Sequence, residues 1–193
     1  MRLKKYSLLL LLVLLVNTIT AQKYIKTDSK TVTKEWKGYT FSSSKPLVEN
    51  ISEVSELSSL KRALSKKAIN NLLEAEEMIT VFAITNNGFS ELQTKHDSIF
   101  DASKTKQLTA IITYHVVPGR VDSHSIKNEV ERKGGIAYYA TLQGEKLGIK
   151  EEYGQLLLVD AKGNTSVISA TDFFHKNGFF HIVEGIVLPK AAE

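Results

Sequence analysis

One stretch constrains this chain more than any other: Thr80 to Phe89, reading TVFAITNNGF. Val81, Phe82, Ala83 and Ile84 form a short apolar run of the kind that fills a buried strand. Thr85-Asn86-Asn87-Gly88 stops the run, and Phe89 and Leu92 resume at the i, i+3 spacing of one helix face. Asn is among the best helix N-caps, because its side-chain oxygen accepts an orphan backbone N–H of the first turn. Asn86 is therefore expected to cap the helix that follows, and its replacement by Ala to cost about 1 kcal/mol. Any fold for this chain must seat a buried strand that turns directly into a helix.

The flanking patterns differ on the two sides of that joint. Before it, Pro46 opens a segment in which Leu47, Ile51, Val54 and Leu57 recur at helical spacing. Ser58 and Ser59 can cap a second helix carried by Leu60, Leu64 and Ala68, with Lys61, Arg62, Lys66 and Lys67 on its wet side. Ile69, Leu72 and Leu73 add a further apolar turn. After the joint, Asp101 or Ser103 starts a helix bearing Leu108, Ile111 and Ile112. It runs into Tyr114-His115-Val116-Val117-Pro118-Gly119, a strand and turn. Ser123 is expected to cap a short helix with Ile126 and Val130, stopped by Gly134-Gly135. From there the pattern is strand: Ile136 to Leu142, Lys146 to Lys150, Gln155 to Val159, Ser166 to Ser169, Phe173-Phe174 and Phe179 to Leu188. Lys176-Asn177-Gly178 is the strongest short turn signal. Helices first and hairpins later predict an α+β fold rather than alternating parallel units.

The N-terminus reads as a leader. Arg2, Lys4 and Lys5 precede an apolar run from Leu8 to Val16, and Asn17 to Ala21 supply a cleavage region, so residues 1–21 are expected to be a cleaved signal peptide. The apolar run is about half the roughly 20 residues a membrane span needs, so no span is expected in the mature form. Residues 22–45 read as a polar spacer whose Trp36, Tyr39 and Phe41 lie against the domain, the alternative being a separate aromatic recognition patch. The 193 residues suffice for that leader and one domain with a sizeable core. Removing the leader takes three cations from the formal net charge of +4, leaving about +1. That balance gives no electrostatic case for nucleic acid. The absence of cysteine excludes disulfides, thiolate metal sites and cysteine nucleophiles together.

No catalytic constellation can be assembled. There is no Gly-x-Ser-x-Gly elbow, and Lys133-Gly134-Gly135 is too short for a phosphate loop and leads into a strand. His115 and His181 are expected as buried imidazoles bonding between segments, with His96, His124 and His175 in loops or surface turns. Without His-Glu-x-x-His or a His/carboxylate cluster, neither a metal nor a cofactor is expected. Asn50-Ile51-Ser52 and Asn164-Thr165-Ser166 match the N-glycosylation pattern and are expected to be bare. Asp172, beside Phe173 and Phe174 in an expected turn-bounded loop, offers a carboxylate on an aromatic surface. The bland alternative is that both Phe close a core and Asp172 caps a turn.

Three blocks, TVFAITNNGF (80–89), LTAIITYHVVPG (108–119) and ATDFFHKNGFFHIVEGIVLP (170–189), resemble in their order and spacing the fasciclin (FAS1) domain family. That family's blocks typically read TVFAPTNxAF, L-x-x-I-L-x-Y-H-V-V-x-G and NGxIHxIDxVLxP. The resemblance covers Pro46 to Pro189, so the domain is placed at 46–190. It implies a twisted β-sandwich or wedge with a cluster of helices on one side. It also implies adhesion or binding outside the cell without catalysis. Ile84 stands in place of the usual Pro and Gly88 in place of Ala, both packing changes, and Glu184 replaces an Asp. Phe173 stands where an aliphatic residue commonly follows the Asp. In animal members that Asp-aliphatic pair and the Tyr-His segment are implicated in integrin binding, which carries over to Asp172 with Phe173 and Tyr114 with His115. The non-matching Phe173 weakens an integrin partner. The expected partner is an extracellular protein, matrix component or glycan. The alternative is a lipid or glycan carrier, its ligand between helices and sheet. The expected location is secreted: extracellular, cell-surface or periplasmic.

Overall fold

A computed structural model describes residues 30–190 other than His96. The expected leader, and the part of the expected spacer before Lys30, lie outside the described residues. The rest of that stretch, read as a polar spacer, forms an antiparallel hairpin, β1 (Thr33–Trp36) and β2 (Tyr39–Ser42). Lys37 and Gly38 both have positive φ, 49° and 83°, the requirement of a two-residue turn that matches strand twist. Phe41 is fully buried and stands edge-on to Phe173 and Phe180, with ring centroids 5.0 and 4.9 Å away. The hairpin is thus part of the core.

The expected first helix is broken. Helix α1 covers only Leu47–Asn50, and a 3-10 turn follows at Ser55–Leu57, yet Leu47, Ile51, Val54 and Leu57 are all buried as the spacing predicts. Asn50 explains the early stop. Its amide accepts from Ser42 N at 2.8 Å and donates to the carbonyls of Ser42 and Lys45 at 2.9 and 3.1 Å, tying the helix to the hairpin. The expected second helix also divides, into α2 (Ser58–Leu64) and α3 (Lys67–Glu74), where Ser65 turns its hydroxyl back onto the Arg62 carbonyl.

Strand β3 (Ile79–Ile84) is buried at every position and leads into α4 (Asn86–Lys95). A short 3-10 turn precedes α5 (Thr105–Tyr114), which feeds β4 (Val116–Pro118); α6 (Ser123–Arg132) follows. The remaining strands are β5 (Ile136–Ala140), β6 (Lys146–Glu152), β7 (Gln155–Val159), β8 (Thr165–His175) and β9 (Gly178–Val183). They order as β4-β3-β9-β8-β7-β6-β5, all antiparallel except β3 against β9. Beyond β5 the chain rejoins the other edge, Leu142 N donating to Val116 O at 2.8 Å, so the sheet is mostly closed. Strand β8 makes this possible: its first residues pair with β7 and the rest with β9. Two register shifts in that second half, between Ile168 and Ala170 and between Ala170 and Phe173, bend it. The fold is α+β.

Two glycines fix close approaches. A Cβ on Gly178 would lie 1.8 Å from the Ile79 carbonyl oxygen, where the parallel pair begins. A Cβ on Gly88 would meet Gly185 O at 2.6 Å. Gly88, expected as a packing change, thus lets α4 rest on the Gly185 backbone, where Ala would find no room.

Candidate functional site

The segment expected as a loop around Asp172 is a bulge within β8. Asp172 has φ 60°, an uncommon left-handed conformation for a residue with a side chain. That conformation aims its carboxylate at the start of α6, where Oδ1 accepts the Ser123 backbone N–H at 2.7 Å and Oδ2 the Ser123 hydroxyl. The expected cap, Ser123, is instead the first helical residue. Asp122 is the N-cap, accepting from Ser125 N at 2.7 Å. Two carboxylates thus face the positive end of one helix. Partial burial pushes the Asp172 pKa up, but the Ser123 and Thr171 hydrogen bonds outweigh it and hold the group below its ordinary value.

Beneath the bulge lies His181, fully buried. Its Nδ1 accepts from Asp172 N at 3.2 Å and its Nε2–H donates to Val121 O at 2.9 Å, which fixes a neutral tautomer. Burial holds its pKa down, so its 4.0 Å approach to the Asp172 carboxylate is not an ion pair at neutral pH. The expectation of an imidazole bonding between segments holds for His181. His115 differs: its Nδ1–H bonds only the Ile111 carbonyl one turn back, at 2.9 Å, and its buried Nε2 has no partner among the described residues. Burial lowers its pKa to about 4. His175, expected in a surface turn, is also buried; it donates from Nε2 to Phe179 O and has a pKa near 4 by the same cause.

Of the four candidate binding residues, only Asp172 reaches the surface. Phe173 lies in the aromatic cluster with Phe41 and Phe180, while Tyr114 and His115 are buried where α5 meets β4. Asp172 and Phe173 are adjacent but point to opposite sides of β8, so they do not form one exposed patch. Beside Asp172 runs an open groove of about 290 Å³, lined by Ser123, Lys127, Gly154, Gln155, Ser169 and Thr171 over a floor of Leu156 and Ile168. Tyr153, at the turn preceding Gly154, is 98% exposed. Residue spacing did not single out this groove, because its walls come from α6, the β6–β7 turn and the β8 bulge. Between the helices and the sheet, the cavity lined by Leu47, Leu64, Leu73, Ile79 and His175 holds only about 40 Å³. A lipid or similar ligand needs roughly 300 Å³ or more.

The profile of the Fasciclin domain family matches residues 55–189. The chain belongs to the fasciclin family. It is 31% identical over 134 residues to Protein sll1483 of Synechocystis sp., covering 68% of this chain and 67% of that protein. It is 26% identical over 148 residues to the Fasciclin-like arabinogalactan protein CTB11 of Cercospora beticola, covering 75% of this chain but only 36% of that longer protein. A FAS1 domain pair from the insect cell adhesion molecule Fasciclin I has the same fold, with a TM-score of 0.66 at 12% identity, covering 84% of this chain and 68% of that one. The match starts at residue 55, and the β1–β2 hairpin upstream of it packs against the same core through Phe41. Within the fasciclin blocks, Asn86 has a role that its sequence position hides. It caps not α4 but α2, accepting from Ser59 N at 2.9 Å and donating to Ser55 O at 2.8 Å. Among the described residues, no helix is long and apolar enough to cross a membrane.

Proposed function

We propose that this fasciclin domain is a secreted or cell-surface adhesion module that holds an extracellular protein, matrix component or glycan by surface complementarity, without turnover. The observation carrying this reading is the groove beside Asp172, with the exposed Tyr153 next in the chain to its lining residue Gly154. It sits on a carboxylate-pinned helix start and a bulged strand, a rigid mounting of the kind that precise recognition needs. The names of two similar proteins, an arabinogalactan protein and an insect adhesion molecule, support the same class of role. The leader pattern in residues 1–21 supports export.

The test is adhesion of cells or extracellular matrix to the immobilised domain. Asp172→Ala and Phe173→Ala are poor probes, because one removes a helix anchor and the other a core ring. Tyr153→Ala and Lys127→Ala alter the groove rim and leave the core intact. The expected result is adhesion to the wild type that drops severalfold in both variants at unchanged melting temperature. Adhesion equal in wild type and variants would overturn the groove as the contact site, and adhesion by none would overturn the module itself.

A further inference from the structure

The outward face of β5–β7 carries a second feature. Tyr138 is 62% exposed although it lies mid-strand. Its register partner on β6 is Gly148, and Tyr138 Cε1 lies 3.2 Å from the point where a Cβ there would be. The ring therefore leans across the neighbouring strand over a residue with no side chain, and it remains open to solvent. Alternation along β6 puts Lys146 and Lys150 on the same face as Gly148.

An open groove of about 470 Å³ adjoins the ring, lined by Tyr138, Glu145, Lys146, Asp160, Ala161 and Lys190. Its formal charges cancel, two acids against two lysines, but the two kinds of group are held differently. The Asp160 carboxylate is buried and accepts from Lys162 N, Asn164 N, Asn164 Nδ2 and Leu188 N. Glu145 accepts from Lys190 N at 3.1 Å and from Gln143 Nε2 at 3.4 Å. Both acids are thus turned to the chain's own donors. Lys146 and Lys190 are exposed, and no ion pair among the described residues engages either ammonium.

We infer that this groove binds an acidic polysaccharide, a uronate sugar stacking on Tyr138 with its carboxylate drawn to Lys146 and Lys190. The two requirements of such a ligand, an apolar ring face and a negative charge one sugar edge away, match the aromatic and cationic parts of the site. A purely apolar partner would leave the ammonium groups unused, and a small anion would leave the ring unused. The site shares no lining residue with the groove beside Asp172, and it depends on the adhesion reading only for its setting outside the cell.

The experiment is affinity electrophoresis of the purified domain in gels containing polygalacturonate, a neutral galactan, or poly-L-glutamate as a charge-matched polymer without sugar rings. Retardation is expected in polygalacturonate alone, and it should weaken as salt rises, because exposed charges are screened. Tyr138→Ala and the pair Lys146→Gln with Lys190→Gln should each lower the apparent affinity at least tenfold, while Tyr138→Phe keeps it. Lys67→Gln, which removes an exposed cation outside both grooves, should change nothing. Equal retardation by poly-L-glutamate, equal retardation by the neutral galactan, or retardation indifferent to Tyr138→Ala would each overturn the inference, as would no retardation at all. Because the measurement uses purified polymers, it can fail while adhesion to cells succeeds, or the reverse.

Discussion

Asn86 shows how a residue can be read correctly for its chemistry and wrongly for its partner. Its amide does what a capping Asn does, but for the helix that starts at Ser58, reached through the fold rather than along the chain. Asn86→Ala leaves the Ser59 N–H and the Ser55 carbonyl without their partner, and it should cost about 1–2 kcal/mol. An unchanged urea midpoint would contradict this. Gly88 makes the opposite point. Ala is the better helix former by about 1 kcal/mol, yet its Cβ would press into the Gly185 backbone. Gly88→Ala should therefore destabilise by about 1–3 kcal/mol, as overpacking does; a raised melting temperature would show that α4 can shift away. Neither partner is within reach of local sequence reasoning, since Ser59 and Gly185 lie far from these residues in the chain.

Among the elements, the hairpin and the bulged strand were the least legible. β1 and β2 offer short polar runs with one buried ring between them, so periodicity has little to register. What identifies them as part of the domain is Phe41, packed against Phe173 and Phe180 from strands more than a hundred residues later. Phe41→Ala should cost about 3–5 kcal/mol, the usual range for an aromatic core ring, and equilibrium denaturation would measure it. A loss under 1 kcal/mol would mean that the hairpin is an appendage. β8 was read as two short pieces with a loop, because its bulges break the alternation that marks a strand. The same bulge places Asp172 against α6. Asp172→Ala should speed hydrogen exchange at the Ser123 amide and the first turn of α6 while sparing β3. Uniform acceleration across the domain would indicate a global effect instead.

For the molecule as a whole, the buried imidazoles set an acid limit. His115 and His175 have folded-state pKa values near 4, below the roughly 6.5 of an exposed histidine, so the unfolded chain binds protons first as pH falls. Their contribution is intact above about pH 6.5 and is lost progressively down to about pH 4, the two together adding up to about two protons to the slope and His181, its pKa also held down by burial, adding to it. Asp172, with its lowered pKa, adds a further loss as pH drops through the carboxylate range. Denaturation midpoints between pH 7 and 4 should follow this course, and His115→Leu should flatten the slope by about one proton; an unchanged slope would remove His115 from the account. The family blocks made the fold class legible because they mark the buried strand, the α5–β4 junction and the final hairpin. The surface grooves were not legible, since each is walled by segments distant in sequence. The parallel pairing of β3 with β9 carries a consequence for synthesis. Strand β3 waits about a hundred residues for its parallel neighbour, holding only the three-residue β4 meanwhile. Nonlocal closure of this kind slows folding. A nascent chain therefore keeps this wholly buried strand without its parallel neighbour until Gly178–Val183 arrives, and a chain held in that interval is exposed to aggregation.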